Sequence, residues 1–160
     1  MNPGDVLLLR RGTGILDRIV QIVTTSPYYH AAIVIDGGYL VEARFHGVAM
    51  RPVSEYGDRA DVFQVLGATD AQREKACEFA KTKLHLPYGW KDILIDALNL
   101  GLHIPVGYRW KTYGHYDCSA LVALAWATAG RPLTLCPVPT PGDLGWSVAL
   151  VGPRPWAKGG

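Results

Sequence analysis

The sequence predicts an α+β fold in which a mostly antiparallel sheet packs against a few helices. Two runs rich in β-branched and aromatic residues, 30–35 and 39–44, flank a short glycine-containing turn, a pattern typical of a β-hairpin. The capping box Thr69-Asp70-Ala71-Gln72 predicts the start of one helix, and Asp117 predicts the start of another. The chain has 160 residues, of which 49% are hydrophobic. This length predicts a single domain that spans residues 1–160.

Charge and cysteine usage argue against several classes of function. The 16 Lys and Arg residues and 14 Asp and Glu residues form no basic run, so we expect no nucleic-acid partner. Cys77, Cys118 and Cys136 cannot all pair within one chain, and their spacing matches no zinc pattern. We therefore expect no disulfide scaffold, no metal and no other cofactor, and the oligomeric state is left open.

No stretch of the sequence has the features of a signal peptide or a membrane span. The start Met1-Asn2-Pro3-Gly4-Asp5 lacks a charged region and a cleavage site, and the apolar run 93–106 is short and contains Asp96. We expect a chain that is made in the cytoplasm without export and has no membrane span.

The first elements are a buried strand and a short amphipathic helix. The continuous apolar run 6–9 is typical of a strand that is buried on both faces. Helical spacing of apolar residues over 15–23 predicts a helix that packs on the domain and ends at Thr24-Thr25-Ser26-Pro27.

The turn of the hairpin decides which side chains share a face. A two-residue Gly37-Gly38 turn would place His30 and Glu42 on opposite faces, whereas a three-residue Asp36-Gly37-Gly38 loop places them on the same face. We predict the three-residue loop. Ala32 then lies opposite Glu42 and His30 opposite Arg44, so His30 and Glu42 are diagonal neighbours.

The remaining elements follow from shorter patterns. Strands are predicted at 49–53 and 61–66. The helix that begins after Thr69 ends before Pro87, and Cys77 lies beside its apolar face of Ala76, Phe79, Ala80 and Leu84, in a structural role. Further along we predict a helix at 91–100, a surface loop at 103–114, and a proline-rich extended region after Gly130 with one strand at 148–151.

Cys118 occupies the first position inside the helix that Asp117 caps and Gly130 terminates. The apolar positions that recur at helical spacing between these two residues are Leu121, Val122, Ala125 and Ala129. A free cysteine on such a face is commonly a small hydrophobic residue. The unpaired N–H groups and the positive dipole at a helix N-terminus nevertheless favour a thiolate, so Cys118 is our candidate nucleophile.

A thiol nucleophile needs a base to move its proton and a third group to orient that base. His30 and Glu42 fit these two roles, because a carboxylate inside the apolar run 39–43 is costly unless it is paired. His115 is the alternative base, being three residues before Cys118, although a residue before the cap is poorly placed to reach the thiol. The other histidines, His46, His85 and His103, lie in predicted turns or loops.

Two motifs resemble a known family. Pro87-Tyr88-Gly89-Trp90 and Tyr116-Asp117-Cys118-Ser119-Ala120-Leu121-Val122 resemble motifs of NlpC-type papain-like cell-wall peptidases, with Ala120 in place of glycine. The runs around His30 and Glu42 precede the cysteine, an order similar to that of the circularly permuted papain-like amidases of the YiiX/YaeF type. Gly4-Asp5-Val6 and Thr140-Pro141-Gly142-Asp143-Leu144 are also similar to that group.

This resemblance implies a circularly permuted papain-like fold and a hydrolase of amide bonds in cell-wall peptides. It implies Cys118 as nucleophile, His30 as base and acid, Glu42 as the orienting residue, and Tyr88 with the Cys118 backbone N–H as the oxyanion site. A chain that acts on cell wall without export would need another route outward, such as a phage particle or a lysis system.

The permuted order is also similar to that of the lecithin retinol acyltransferase group, which carries a second His at the position of Glu42 and Asn-Cys at Asp117-Cys118. Both differences favour the amidase. The functional alternatives are an acyltransferase or lipid-acyl hydrolase and a catalytically silent binding module, because a fold and a triad fix the reaction class better than the substrate. A metal site that includes His115 and Cys118 is the least supported hypothesis.

Overall fold

One antiparallel sheet forms the centre of the fold. The structure is a computed structural model that describes residues 1–10, 12, 14–44, 46–87, 117–137 and 139–154. In these residues the strands are β1 Val6–Arg10, β2 Tyr28–Val34, β3 Tyr39–Arg44, β4 Gly47–Pro52, β5 Ala60–Val65 and β6 Leu150–Arg154. They lie in the order β4-β3-β2-β1-β5-β6, and each neighbouring pair is antiparallel.

In the described ranges the helices are α1 Ile15–Val23, α2 Asp70–Thr82, α3 Cys118–Thr128 and α4 Pro141–Gly145. Helices α2, α3 and α4 cover one face of the sheet. A first apolar cluster packs β1, β2, β3 and β5 against α2, α3 and α4. A second cluster lies on the opposite face of the sheet and includes Leu7, Leu40, Val53 and Tyr56. The predicted α+β class with a mostly antiparallel sheet is confirmed.

The β2–β3 hairpin has the predicted three-residue loop. Residues Asp36–Gly38 form a single 3-10 turn, and the Ile35 N–H donates to the carbonyl oxygen of Tyr39 at 2.8 Å. Gly37 has a φ of +72°, a left-handed conformation that favours glycine. The register that pairs Ala32 with Glu42 is confirmed, and it determines which residues of the two strands share a face.

The predicted start and end of α3 are also confirmed. The Asp117 side chain caps the helix, and its Oδ1 accepts the Ala120 N–H at 2.6 Å. Gly130 follows the last turn with a φ of +77°. The core-facing residues are buried, as expected from their spacing: Leu121, Val122, Ala125 and Ala129, together with Trp126.

The chain runs from α2 back to the edge strand β4. The Thr69–Gln72 capping box is confirmed, and the helix ends at Thr82. The Val48 N–H then donates to Leu86 O at 2.9 Å. Gly47 permits this approach, because a Cβ atom there would lie 2.6 Å from Leu86 O.

The C-terminal region differs from the prediction. It contains the helix α4, whose N-cap Thr140 accepts the Asp143 N–H at 3.1 Å and whose first residue is Pro141. We had predicted extended chain here because of the prolines. The last strand begins at Leu150, two residues later than predicted.

The apolar stripe of α1 packs on the domain only in part. Ile15, Ile19 and Ile22 are 81%, 41% and 77% exposed. Polar contacts hold the helix beside β2: Gln21 Nε2 donates to Pro27 O at 2.6 Å, and the Ser26 N–H donates to Gln21 O at 3.1 Å. None of the helices in the described ranges combines the length and apolar character needed to cross a bilayer.

Two predicted elements fall outside the described residues. These are the helix at 91–100 and the loop at 103–114.

Candidate active site

Cys118 is buried at the N-terminus of α3. Its side chain belongs to the cluster between the helices and the sheet and is 6% exposed. As the first residue of α3, Cys118 carries one of the backbone N–H groups that have no partner within the helix. The Ser119 hydroxyl lies 3.8 Å from the Cys118 sulfur.

His30 and Glu42 form a buried pair on the adjacent strands β2 and β3. His30 Nε2 lies 2.6 Å from Glu42 Oε2, and the two side chains are 7% and 1% exposed. The hairpin register places them one step apart diagonally, as the sequence predicted. A charged group this deeply buried requires a partner, and each of the two supplies one for the other.

His30 also contacts Cys118, which links the sheet to the helix. Burial lowers the pKa of His30, but the nearby Cys118 sulfur and then the Glu42 carboxylate, which hydrogen bonds to the ring, raise it to about 9. Since Nε2 faces Glu42, Nδ1 is the ring nitrogen that remains for the thiol. Near neutral pH the imidazole is therefore protonated between two acidic groups.

Glu42 has two further partners besides His30. Its Oε1 accepts the Tyr56 hydroxyl at 2.7 Å, and Arg44 Nε lies 3.1 Å from the same oxygen in an ion pair. Burial raises the pKa of Glu42, while hydrogen bonds from His30 and Tyr56 and the Arg44 charge lower it by more, so the net shift is downward. The carboxylate stays ionised although it is 1% exposed.

Aromatic rings surround these polar groups. The Tyr29 ring stacks on His30 with centroids 6.2 Å apart, and the Arg44 guanidinium lies 5.6 Å from the centre of the Tyr56 ring. Tyr56 is itself buried, and burial together with Glu42 raises the pKa of its hydroxyl, which keeps it a donor.

The structure brings together three of the predicted site residues, Cys118, His30 and Glu42. Tyr88, the expected oxyanion residue, and the alternative base His115 lie outside the described residues, as does His103. His46 and His85 are exposed and lie outside the strands and helices. Sequence reasoning did not identify Tyr56, which lies in a turn with no periodic pattern.

Cys77 provides a contrast with Cys118. Its sulfur donates to Val34 O at 3.4 Å inside the core, and burial raises the pKa of its thiol to about 11. The predicted structural role of Cys77 agrees with this environment.

The carboxylate and imidazole groups of the site are paired with one another and with their neighbours. Both Glu42 oxygens and His30 Nε2 already make hydrogen bonds within the site. Across the residues that the structure describes, no group of three or more His, Cys, Asp or Glu side chains is arranged to hold a metal.

Comparison with known families identifies the fold and the class of enzyme. Residues 1–96 match the family described as "Permuted papain-like amidase enzyme, YaeF/YiiX, C92 family". The chain belongs to this family. As a member of the C92 family it is a cysteine amidase, and its matched segment contains His30, Glu42 and Tyr56, while Cys118 lies beyond it.

A solved structure supports the same fold. The crystal structure described as that of the metalloprotein yiiX from Escherichia coli O157:H7 is similar to this chain with a TM-score of 0.71. The two sequences are 18% identical, and the similarity covers 94% of each chain. The expected permuted papain-like fold is thereby confirmed. A search of curated proteins finds no match.

Proposed function

We propose that the chain hydrolyses amide bonds in cell-wall peptides through Cys118, His30 and Glu42. One observation carries the proposal: a buried series of contacts runs from the Cys118 sulfur through the His30 ring to Glu42. Nucleophile, base and orienting group follow one another in this series, as thiol catalysis requires.

The reaction proceeds in two halves. The Cys118 thiolate attacks the amide carbonyl carbon, and the C–N bond breaks as the His30 imidazolium gives its proton to the leaving nitrogen. The product of this half is a thioester on Cys118. His30 then takes a proton from water, the hydroxide oxygen bonds to the thioester carbon, and the C–S bond breaks to release the acid.

Negative charge on the carbonyl oxygen needs donors in both halves of the reaction. The Cys118 N–H, at the positive end of the α3 dipole, is one such donor. Tyr88 is the second donor in this proposal, and its assignment comes from the motif Pro87-Tyr88-Gly89-Trp90.

The substrate class is tested by product analysis. The purified chain is incubated with peptidoglycan fragments and with acyl lipids, and the products are identified by mass spectrometry. We expect cleaved amide bonds in the peptide fragments, loss of this activity in Cys118→Ala, and its retention in Cys136→Ala. Unchanged fragments, with fragment binding that is equal in the parent and in Cys118→Ala, would instead identify a silent binding module.

A second candidate function is an acyltransferase or lipid-acyl hydrolase that uses the same three residues. The exposed α1 apolar face, formed by Ile15, Ile19 and Ile22, lies beside the strand that carries His30 and favours an apolar substrate. Release of fatty acid from lipids, with a loss of rate in Ile19→Ser but not in the exposed control Leu135→Ser, would support this candidate over the amidase.

A further inference from the structure

Glu42 is held at both of its oxygen atoms, but by different kinds of partner. The two donors Tyr56 and Arg44 both bind Oε1, at 2.7 and 3.1 Å. Oε2 is left for the His30 ring at 2.6 Å. This division of the hydrogen bonds determines which oxygen faces the base.

Of the two donors on Oε1, Tyr56 is the one that is buried. Its side chain lies in the apolar cluster on the face of the sheet away from the helices, at 4% exposure, whereas 47% of the Arg44 side chain is exposed. A hydrogen bond from a buried hydroxyl to a carboxylate is stronger and less screened than an exposed ion pair.

We infer that Tyr56 is a positioning residue of the amidase, whose hydroxyl holds Glu42 Oε1 so that Oε2 orients the His30 ring toward Cys118. The inference rests on the proposed function of these three residues. Tyr56 touches neither substrate nor reacting atoms and acts only through Glu42.

Two consequences distinguish this role from simple packing. Loss of the hydroxyl removes a hydrogen bond to the charged form of Glu42, so protonation of Glu42 moves to higher pH. The titratable groups around the carboxylate, namely His30 and Tyr29 on β2, Arg44 on β3 and Tyr56 itself, are otherwise unchanged. The effect of losing the hydroxyl also requires a carboxylate at residue 42.

The test uses Tyr56→Phe, which keeps the ring and removes only the hydroxyl. The matched control is Tyr28→Phe, since the Tyr28 hydroxyl also donates to a carboxylate on the same sheet, Asp61, at 2.9 Å. The assay is the rate of Cys118 carboxamidomethylation by iodoacetamide against pH, which needs no knowledge of the substrate. Thermal unfolding is measured for each variant.

For Tyr56→Phe we expect carboxamidomethylation of Cys118 to be slower by about tenfold. We also expect the acidic limb of its pH–rate profile to move up by about one pH unit. Both changes have the size expected for one hydrogen bond to a charged group. In the Glu42→Gln background the same change has no further effect on the rate. Tyr28→Phe leaves both the rate and the limb unchanged.

The inference is overturned if Tyr56→Phe lowers the unfolding temperature but leaves the acidic limb in place, or if its effect persists unchanged in Glu42→Gln. Failure of the proposed function is recognised separately, by the absence of amide hydrolysis in the parent. The alkylation rate of Cys118 measures the coupling between Tyr56 and Glu42 whether or not the parent hydrolyses amides.

Discussion

Two tyrosine–carboxylate–arginine groups occur on the same sheet, and they differ in how donors are shared between the carboxylate oxygens. In the first, Tyr28 binds one oxygen of Asp61 at 2.9 Å and Arg10 binds the other at 2.8 Å. In the second, Tyr56 and Arg44 converge on a single oxygen of Glu42.

The difference indicates how the role proposed for Glu42 depends on the sharing of its hydrogen bonds. Both oxygens of Asp61 on β5 are engaged, one by Tyr28 from β2 and the other by Arg10 from β1. Glu42 keeps one oxygen for an imidazole because its other donors share the remaining one. Composition alone would not separate the two groups, since each contains the same three kinds of side chain.

The largest expected effect comes from neutralising each carboxylate in turn. Glu42→Gln lowers kcat/KM for amide hydrolysis by about 10²- to 10³-fold, because the His30 ring loses the charge that orients it. Asp61→Asn leaves kcat/KM within about twofold and instead lowers the unfolding free energy by about 1–3 kcal/mol. Steady-state kinetics and denaturant titration measure the two quantities. Equal kinetic losses in both variants would remove the distinction between the groups.

The alkylation rate of Cys118 tests the same distinction between Glu42 and Asp61. Iodoacetamide should label Cys118 at neutral pH about 10- to 100-fold faster than Cys77, whose thiol has its pKa raised to about 11. We expect it to label Cys118 faster than Cys136 as well. Peptide mapping by mass spectrometry follows all three cysteines in one sample. Glu42→Gln should remove this selectivity, and Asp61→Asn should retain it. Equal labelling of the three cysteines in the parent would contradict the assignment of Cys118 as the nucleophile.

Local parts of this site could be predicted from the sequence. The loop Asp36-Gly37-Gly38 determines the hairpin register, and the register alone places His30 beside Glu42. Asp117 and Gly130 mark the ends of α3 and so locate Cys118 in its first turn. Both are short-range rules, in which a few neighbouring residues determine the geometry.

Long-range parts of the structure could not be predicted in this way. The contact between Cys118 and His30 joins residues far apart in the chain, so no local pattern determines it. The need of a thiol nucleophile for a base suggested the contact, and the resemblance to permuted amidases supported it. Tyr56 reaches Glu42 from a turn that carries no periodic signal. The capping box of α4 at Thr140 was present in the sequence, but the surrounding prolines favoured an extended interpretation.

The pH dependence should report which carboxylate acts on His30. The pKa of His30 is raised to about 9, so the protonated ring persists from below its ordinary value of 6.5 until pH rises through about 9. Stability that depends on this proton should decline between about pH 6.5 and about pH 9, whereas kcat/KM should stay level until pH approaches about 9 and decline above it. In Glu42→Gln the alkaline limb of kcat/KM should move down by about one unit, because one of the groups that raise the His30 pKa is lost. If the alkaline limb of kcat/KM moves equally in Asp61→Asn, the shift does not depend on how close the carboxylate lies to the His30 ring.

The smallest expected effect on kcat/KM comes from removing Arg44, and it is compared with the removal of Arg10 beside Asp61. Arg44 is 47% exposed and shares Oε1 with the buried Tyr56 hydroxyl, so its removal leaves Glu42 with its stronger donor. Arg44→Gln should therefore lower kcat/KM by only about two- to fivefold, the range expected for an exposed ion pair. Arg10→Gln, which removes the corresponding partner of Asp61, should leave kcat/KM unchanged. Because salt screens exposed charges, the difference in kcat/KM between the parent and Arg44→Gln should shrink at about 0.5 M sodium chloride, which is roughly three times physiological ionic strength. A loss in Arg44→Gln as large as that in Tyr56→Phe, and insensitive to salt, would mean that the exposed arginine and not the buried tyrosine holds the Glu42 carboxylate.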